Sequence, residues 1–524
     1  MKNQLKAGVI LSYLTTGISI VIQLVYMPVM IRLLGQSEFG LYTLVSGVVS
    51  YLSLFSLGFT GAYLRFFARE NQKNDREGLA ALNGMFITLF LVLASAALVC
   101  GLTLSCFPKQ VFGSKLSGAE LREARILMVI LVVNIAMGLV SSIFDSIINA
   151  YEQFVFQRII SLLATVVNPL ICLPLLLMGY GNVMLVVVAT CMTLGRLLVN
   201  GWFCLCQLKI PISFHGFQLS LFKEVGVFSF FLLLNMVIDQ INWNVDKLIL
   251  SHTNGTSEVA VYGVASQFNS LFLTFSTAIS SVFSPRINRI AAQNGPHSRR
   301  EFTVLMAKVG RIQWMILGLM AMGFVIFGRF FIVNLYAGEG YANAYGAALF
   351  LVLPVLIPLI QNTGIEVQRA LNRHQFRSAI YFAMAVVNAL VSIPLARRFG
   401  CVGSAMGTAI SLVLANGLIM NVFYHRALKI DMLYFWKEIG KTLPGFVIPL
   451  LTGALIMRYI TFTSLMQYLL CVAAFAVVYC LSVYRFLEYI QVKFQSIFPS
   501  PESPRGSIGT TPSGNSSLLY MAMV

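Results

Sequence analysis

Residues 35–42 read GQSEFGLY, and residues 255–262 read GTSEVAVY. The two stretches share the pattern GxSExxxY and start 220 residues apart. The same interval relates VVNPLICLPL at 166–175 to VVNALVSIPL at 386–395. A constant interval that holds without gaps over this length of chain indicates an internal duplication, and the duplication decides the fold.

The composition excludes a soluble protein. Of the 524 residues, 58% are hydrophobic and only 10% are charged, whereas about a quarter of the residues in a soluble globular chain are charged. Breaking the chain at charge, glycine, proline and asparagine clusters leaves fourteen apolar stretches, each near the ~20 residues that cross a bilayer as a helix. We therefore predict an all-α polytopic membrane protein with about 14 transmembrane helices.

The interval of 220 residues places spans 1–6 in register with spans 7–12. Because six is even, both copies enter the membrane in the same direction, which is a plan known from transporters with parallel repeats. We expect the following organisation: a six-helix repeat at 1–212, a second at 213–430, two additional helices at 431–492 and a disordered tail at 493–524.

The excess of positive charge orients the chain. With the N-terminus in the cytoplasm, most of the 36 lysines and arginines fall on cytoplasmic segments, as the positive-inside rule requires. Both termini are then cytoplasmic. The lysines and arginines lie between apolar stretches and do not cluster on one soluble surface, which argues against a nucleic-acid partner. The nine cysteines and five histidines match no metal-ligand spacing, so we expect no metal site.

Polar residues at membrane depth mark the candidate substrate or ion cavity. Asn235, Asp239, Asn242 and Asp246 follow one another at i, i+4, i+7 and i+11 in span 7, so they share one helix face. Ionisable groups at this depth are functional by default, and these acids would couple a cation or bind polar groups of a substrate. The competing interpretation is a polar seam that joins neighbouring helices. Span 1, the counterpart of span 7, contributes two uncharged candidates, Ser19 and Gln23.

Four arginines lie at the predicted cytoplasmic ends of spans 2 and 8: Arg65, Arg69, Arg286 and Arg289. Guanidinium groups bind phosphate oxygens in a bidentate manner, so these residues are candidates for binding an anionic group at the entry to the membrane. Positive-inside anchoring explains them as well.

Single charges elsewhere have structural alternatives. Asp145 in span 4 and Arg196 in span 6 could pair with each other, and Glu366 with Arg369 fits an intrahelical ion pair. The duplicated Ser37–Glu38 and Ser257–Glu258 fit a serine cap with an acid in the first helical turn. Gly403 and Gly407 form a GxxxG pattern that favours close helix packing.

Three stretches resemble a known family: RLLGQSEFGLY at 32–42, LFSLGFTGAYLRFFARE at 54–70 and RRFGCVGSAMGTAIS at 397–411. They are similar to the polysaccharide transporter family of the MOP flippase superfamily, which includes Wzx-type flippases. The resemblance implies a MATE-like fold with a V-shaped cavity. It also implies alternating access that moves a polyprenyl-diphosphate-linked oligosaccharide across the bacterial cytoplasmic membrane, with membrane lipid, a glycan polymerase and glycosyltransferases as candidate partners. For such a substrate the acids of span 7 would bind sugar hydroxyls or a coupling cation, and the four arginines would form the diphosphate entry site.

Two alternatives stay open. A cation-coupled multidrug exporter would share the fold, but the acid usual in the first helix of such exporters has no match, since residues 8–31 contain none. A membrane glycan polymerase or ligase would need acids, bases or metal ligands on a sizeable loop, and no such loop is predicted. We therefore expect a transporter without enzyme activity or cofactor. It would be driven by H⁺, Na⁺ or the membrane potential, because the GKT at 440–442 lacks the first glycine of a P-loop.

Overall fold

The computed structural model of the chain is helical throughout the part that it describes. It describes residues 2–497 except 57, 58, 74, 215–235, 238, 239, 242, 294–297, 372, 374 and 463. No strand occurs within these ranges.

Seventeen helices follow one another along these ranges. In the first half they are α1 (Lys2–Val49), α2 (Phe59–Gln72), α3 (Arg76–Ser105), α4 (Pro108–Phe112), α5 (Gly118–Ala150), α6 (Phe154–Leu177) and α7 (Asn182–Trp202). The second half continues with α8 (Thr256–Ser281), α9 (Ser284–Gln293), α10 (Ser298–Phe330), α11 (Ala342–Ile360), α12 (Asn362–Ala370), α13 (Gln375–Leu412) and α14 (Met420–Arg426). The chain ends with α15 (Met432–Gly440), α16 (Val447–Tyr459) and α17 (Leu465–Ile497). Residues 243–253, just before α8, are helical as well.

Ten helical segments of the described chain are long and apolar enough to cross a membrane. Two of the ten segments each consist of two helical stretches joined at a break. The segment Leu14–Gln72 contains a break at Gly35, and Gln375–Arg426 contains one at Gly400. The all-helical class is confirmed, and the count of fourteen spans stays a prediction.

The duplicated GxSExxxY pattern marks a sharp reversal between consecutive spans. Gly35 has φ 76° and Gly255 has φ 97°, in the left-handed region where a side chain would be strained. Each glycine therefore ends one helix and lets the next begin at once. The two positions lie one repeat interval apart and share this conformation.

The GxxxG pattern packs the two helical arms of α13 against each other, as predicted. A Cβ atom on Gly403 would lie 2.0 Å from the carbonyl oxygen of Leu395, and one on Gly407 would lie 2.1 Å from Ser392 Oγ. Only glycine permits this approach. The close contact brings the helix after Gly400 onto the helix before it, which positions the polar side chains described below.

Helices α16 and α17 pack on the second half through α10. The Phe327 ring of α10 contacts Phe475 of α17 at 5.6 Å between ring centroids, and Tyr479 of α17 donates a hydrogen bond to the Met315 carbonyl at 2.7 Å. The additional helices therefore extend one side of the second half.

Candidate functional site

Asp246 is the most deeply buried carboxylate that the structure describes. It lies in the helix at 243–253, and its exposed fraction is 0%. Three hydroxyl groups donate to it: Ser404 Oγ to Oδ1 at 2.6 Å, and Tyr262 OH and Thr408 Oγ1 to Oδ2, each at 2.8 Å. Among the described residues no lysine or arginine forms an ion pair with it. The ammonium group of the adjacent Lys247 donates to Asn244 Oδ1 at 3.2 Å. A carboxylate without solvent contact is energetically costly, which favours a functional role over packing.

Asn388 extends this cluster through the close contact within α13. Its Oδ1 accepts from Ser392 Oγ at 3.0 Å and from Thr408 Oγ1 at 3.3 Å. Its Nδ2 is buried, and no described residue accepts a hydrogen bond from it. Carboxylate, amide and hydroxyl oxygens thus converge at one point inside the bundle, which is the ligand type that hard cations prefer.

Sequence reasoning selected Asp246 but missed its partners. Tyr262 lies on the next helix, and Asn388, Ser404 and Thr408 lie more than 140 residues further along the chain. The signal was present, because Asn388 belongs to the duplicated VVN stretch and Ser404 and Thr408 flank the GxxxG glycines. Periodicity within one helix reveals a shared face, but it carries no information about which distant helix that face meets.

Five other residues were predicted to line the cavity. Asn235, Asp239 and Asn242 lie outside the described residues. Ser19 and Gln23 are half-buried on α1, and the carbonyl of Gln23 accepts a hydrogen bond from Tyr336 OH at 3.4 Å. Their role as cavity lining stays a prediction.

The four arginines of the predicted entry site are exposed on α2 and α9: Arg65, Arg69, Arg286 and Arg289. Arg69 Nε lies 3.2 Å from Glu70 Oε1, and the Arg69 guanidinium lies 5.0 Å from the centroid of the Phe66 ring. On α9 the opposite face is buried through Ile287 and Ile290. The arginines therefore face away from the hydrophobic core, as either interpretation requires.

Both predicted ion pairs are confirmed. Arg196 Nη2 lies 2.8 Å from Asp145 Oδ2, so spans 4 and 6 are joined by charge. Arg369 Nη1 lies 2.9 Å from Glu366 Oε1 within α12.

The prediction for the second serine–glutamate pair is confirmed for Glu258, which lies in the first turn of α8, and is wrong for the serine cap. Gly255, not Ser257, is the N-cap residue of α8, and no side chain caps that helix. Instead Glu258 Oε2 accepts the backbone N–H of Cys401 at 2.7 Å, so the acid satisfies the start of another helix, just after the Gly400 break. A free N-terminal amide is a strong partner for a carboxylate wherever it lies in the sequence.

A cluster of hydrogen bonds, which we call the gate, joins the two halves at the end of the bundle that carries the Gly35 and Gly255 breaks. Glu120 Oε1 accepts from Ser37 Oγ of the first half and from Thr256 Oγ1 of the second, each at 2.7 Å. Its other oxygen accepts the N–H of Ser117 at 2.8 Å, which completes a capping box on α5.

Two side chains of α1 add further hydrogen bonds to the gate. Arg32 Nη2 donates to the carbonyls of Asn334 and Leu335, at 2.8 and 2.7 Å. Gln36 Nε2 donates to the carbonyl of Gly340 at 3.2 Å. These bonds cross from the first half to the second, so the halves are held together at this end.

An apolar groove of about 470 Å³ lies where α1, α8, α10 and α17 meet. Its lining includes Leu24, Phe272, Phe324 and Val472. Such a surface suits a hydrocarbon chain and offers little to a polar ligand.

Comparison with known proteins agrees with this architecture. The model of a family described as polysaccharide biosynthesis protein matches residues 5–291. A protein of Shigella flexneri named "Putative O-antigen transporter" is 21% identical over 402 residues, which cover 75% of this chain and 91% of that protein.

Two solved structures share the fold. The lipid II flippase MurJ in an inward closed conformation superposes with a TM-score of 0.70 at 15% identity, covering 92% of this chain and 99% of that one. An inward-facing multidrug resistance MATE transporter of the MOP superfamily superposes with a TM-score of 0.62 at 12% identity, covering 80% and 98%. At these identities the likeness establishes the fold alone.

Proposed function

The chain belongs to the polysaccharide biosynthesis protein family, and from this premise we propose that it flips a polyprenyl-diphosphate-linked oligosaccharide across the membrane by alternating access. The cargo would be the repeat unit of an O-antigen, capsule or exopolysaccharide. This activity is transport and not catalysis. The Shigella flexneri relative named for O-antigen transport supports the choice of cargo.

The observation that carries the proposal is the Asp246 cluster. A multi-pass membrane chain with 10% charged residues keeps one carboxylate 0% exposed inside the second half, where three neutral hydroxyl groups donate to it. Intramembrane acids in such positions mark ion pathways. We assign to Asp246 and Asn388 the binding of the coupling cation, H⁺ or Na⁺, as the step that drives the conformational change.

The gate supports a state that is closed on one side. The predicted orientation places it at the extracytoplasmic end, so the described conformation would open toward the cytoplasm. The exposed arginines of α2 and α9 would then receive the diphosphate from that side, while the apolar groove would hold the polyprenyl chain. The cavity of Asp246, Ser19 and Gln23, with the undescribed Asn235, Asp239 and Asn242, completes the proposed path.

The same proposal keeps the predicted organisation of the chain. It consists of two parallel six-helix repeats, two additional helices and a tail: 1–212, 213–430, 431–492 and 493–524. The protein would lie in the bacterial inner membrane with both termini in the cytoplasm. Glycan polymerase and glycosyltransferase partners would act on the product and supply the substrate.

Deletion of the gene tests the proposal in cells. We expect surface polysaccharide to disappear and lipid-linked units to accumulate on the cytoplasmic leaflet. The wild-type gene should restore export, whereas Asp246→Asn should not, because the new amide would point N–H groups at hydroxyl donors. Losing a hydrogen bond to a charged group costs about 1.5–3 kcal/mol.

A matched control separates function from folding. Ser251 lies on the same helix and is 0% exposed, but its hydroxyl bonds only locally, to the carbonyl of Leu248 at 2.9 Å and toward the adjacent His252 ring. Ser251→Ala should therefore restore export. Normal polysaccharide in the deletion strain, together with lost resistance to cationic drugs, would instead identify a drug exporter.

A further inference from the structure

A second polar cavity, of about 430 Å³, is open on one side and is lined mainly by the first half. Its walls are the η-turn at Ser50–Ser56 with α2, helices α5 and α7, and Met236 of the second half. Its lining includes seven hydroxyl and amide side chains: Ser53, Ser56, Thr60, Asn134, Ser141, Ser142 and Thr193. A volume of roughly 300–1,000 Å³ is typical of small-molecule sites, so the cavity has room for one or two sugar rings.

The Asp145–Arg196 pair lies in the wall of this cavity. Arg196 Nη2 donates to Asp145 Oδ2 at 2.8 Å, and Asn200 Nδ2 donates to Oδ1 at 2.9 Å. The side chains of Arg196 and Asp145 are 35% and 18% exposed, so both remain within reach of a ligand. The pair holds one positive and one negative charge, and the wall is therefore neutral overall.

Two buried polar atoms of the cavity have no partner among the described residues. They are Arg196 Nε and the hydroxyl oxygen of Ser141, a residue that is 3% exposed. Buried donors and acceptors are almost always paired, so an unpaired set at a cavity wall points to a ligand.

The second half contains a related cavity with a different set of polar residues. It holds a cavity of about 480 Å³ at the corresponding place, lined by Asn362, Ile365 and Asn416. Those residues lie 220 positions after Ser142, Asp145 and Arg196. The positions of Asp145 and Arg196 are isoleucine and asparagine there, and the wall of that cavity has an ion pair of its own, Glu366 with Arg369 at 2.9 Å. A carboxylate–guanidinium pair thus lines the polar cavity of each half.

We propose that the first-half cavity binds sugar units of the lipid-linked oligosaccharide, an assignment that rests on the proposed function. Asp145 accepts hydrogen bonds from neighbouring sugar hydroxyls, and Arg196 and Ser141 donate to hydroxyl or ring oxygens. The diphosphate is the poorer occupant, because Asp145 cancels the attraction that Arg196 would offer to an anion.

The test measures binding to the purified full-length protein by titration calorimetry. The probe is the oligosaccharide that mild acid releases from the lipid-linked pool of the deletion strain, and inorganic pyrophosphate is the competitor. We expect wild-type protein to bind the oligosaccharide and pyrophosphate to leave that binding unchanged. Asp145→Asn should weaken it roughly 10- to 100-fold, as expected for loss of a hydrogen bond to a charged group.

Two further variants separate binding from folding. Ser141→Ala removes a hydroxyl that no described residue bonds, so thermal stability should hold while affinity falls roughly 2- to 10-fold. Glu438→Gln disrupts a comparable interhelical pair, Arg311 with Glu438 at 3.2 Å and 33% and 9% exposed, whose residues are absent from the lining of both cavities. It should bind the oligosaccharide like wild type.

Equal affinity in wild type, Asp145→Asn and Ser141→Ala would overturn the cavity assignment and leave the proposed function standing. Displacement of the sugar by pyrophosphate would also overturn it. No binding by wild type would overturn it as well, and the deletion strain then decides separately whether the proposed function fails too.

Discussion

The gate predicts that one isosteric substitution changes the balance between conformations. Thr256 is 7% exposed and donates to Glu120 at 2.7 Å across the two halves. Thr256→Val keeps the shape of the side chain and removes this hydrogen bond. The bonds of Glu120 to Ser37 and Ser117 remain, because both partners belong to the first half.

The magnitude follows from the nature of the acceptor. A hydrogen bond to a charged group contributes about 1.5–3 kcal/mol to stability. Glu120 is half-buried, so water screens part of this energy, and we take ~1–2 kcal/mol for the closed gate. This difference shifts the equilibrium toward the open gate roughly 5- to 30-fold.

The assay is a distance measurement between spin labels on the two halves. Lys115 and Glu339 are exposed next to the gate, one on each half, and accept labels as cysteines in a background without the native cysteines. Thr256→Val should add or enlarge a population with a longer label-to-label distance. Ser117→Ala, which breaks only the cap of α5, should leave the distribution as in wild type.

An unchanged distribution in Thr256→Val would refute the gate. A longer label-to-label distance in Ser117→Ala would also contradict the prediction. The effect would then come from the start of α5 and not from the hydrogen bond between the halves.

Three further predictions concern packing and entry. Gly403→Ala should lower the thermal unfolding midpoint, because the added Cβ would lie 2.0 Å from a backbone carbonyl, whereas Gly195→Ala, with nothing within 4 Å, should leave it unchanged. Gly40→Ala should favour the open gate in the spin-label assay, since its Cβ would lie 2.1 Å from a carbonyl oxygen of the opposite half; a wild-type distribution would count against the close contact. Replacing both Arg69 and Arg289 by glutamine should slow export of the lipid-linked substrate while protein levels stay normal, and unchanged export would reduce these arginines to membrane anchors.

The fold was predictable because the duplication and the apolar stretches are local or periodic signals. The GxSExxxY pattern predicts corresponding positions in the two halves, and Gly35 and Gly255 indeed share a left-handed conformation. The role of Glu258 was not predictable, since its partner is the N–H of Cys401, 143 residues away. The local sequence suggested that Glu258 stabilises the start of its own helix. In the folded protein it accepts a hydrogen bond from the start of a different helix.

The candidate site shows the same limit. Burial of Asp246 follows from its place in an apolar helix, and pairing of Asp145 with Arg196 follows from the cost of single charges in a membrane. The hydroxyls around Asp246 and the cavity beside Arg196 depend on which helices meet. The close approach at Gly407 sets that contact, and one sequence does not display it.

Flipping by the purified protein in liposomes tests directly whether the protein transports the lipid-linked oligosaccharide. The substrate is the lipid-linked oligosaccharide of the deletion strain, and a membrane-impermeant glycosidase reports how much of it lies in the outer leaflet over time. We expect wild-type protein to equilibrate the substrate between the two leaflets, and Asp246→Asn to slow this to the rate of protein-free liposomes. Equal rates for wild-type and protein-free liposomes would contradict it.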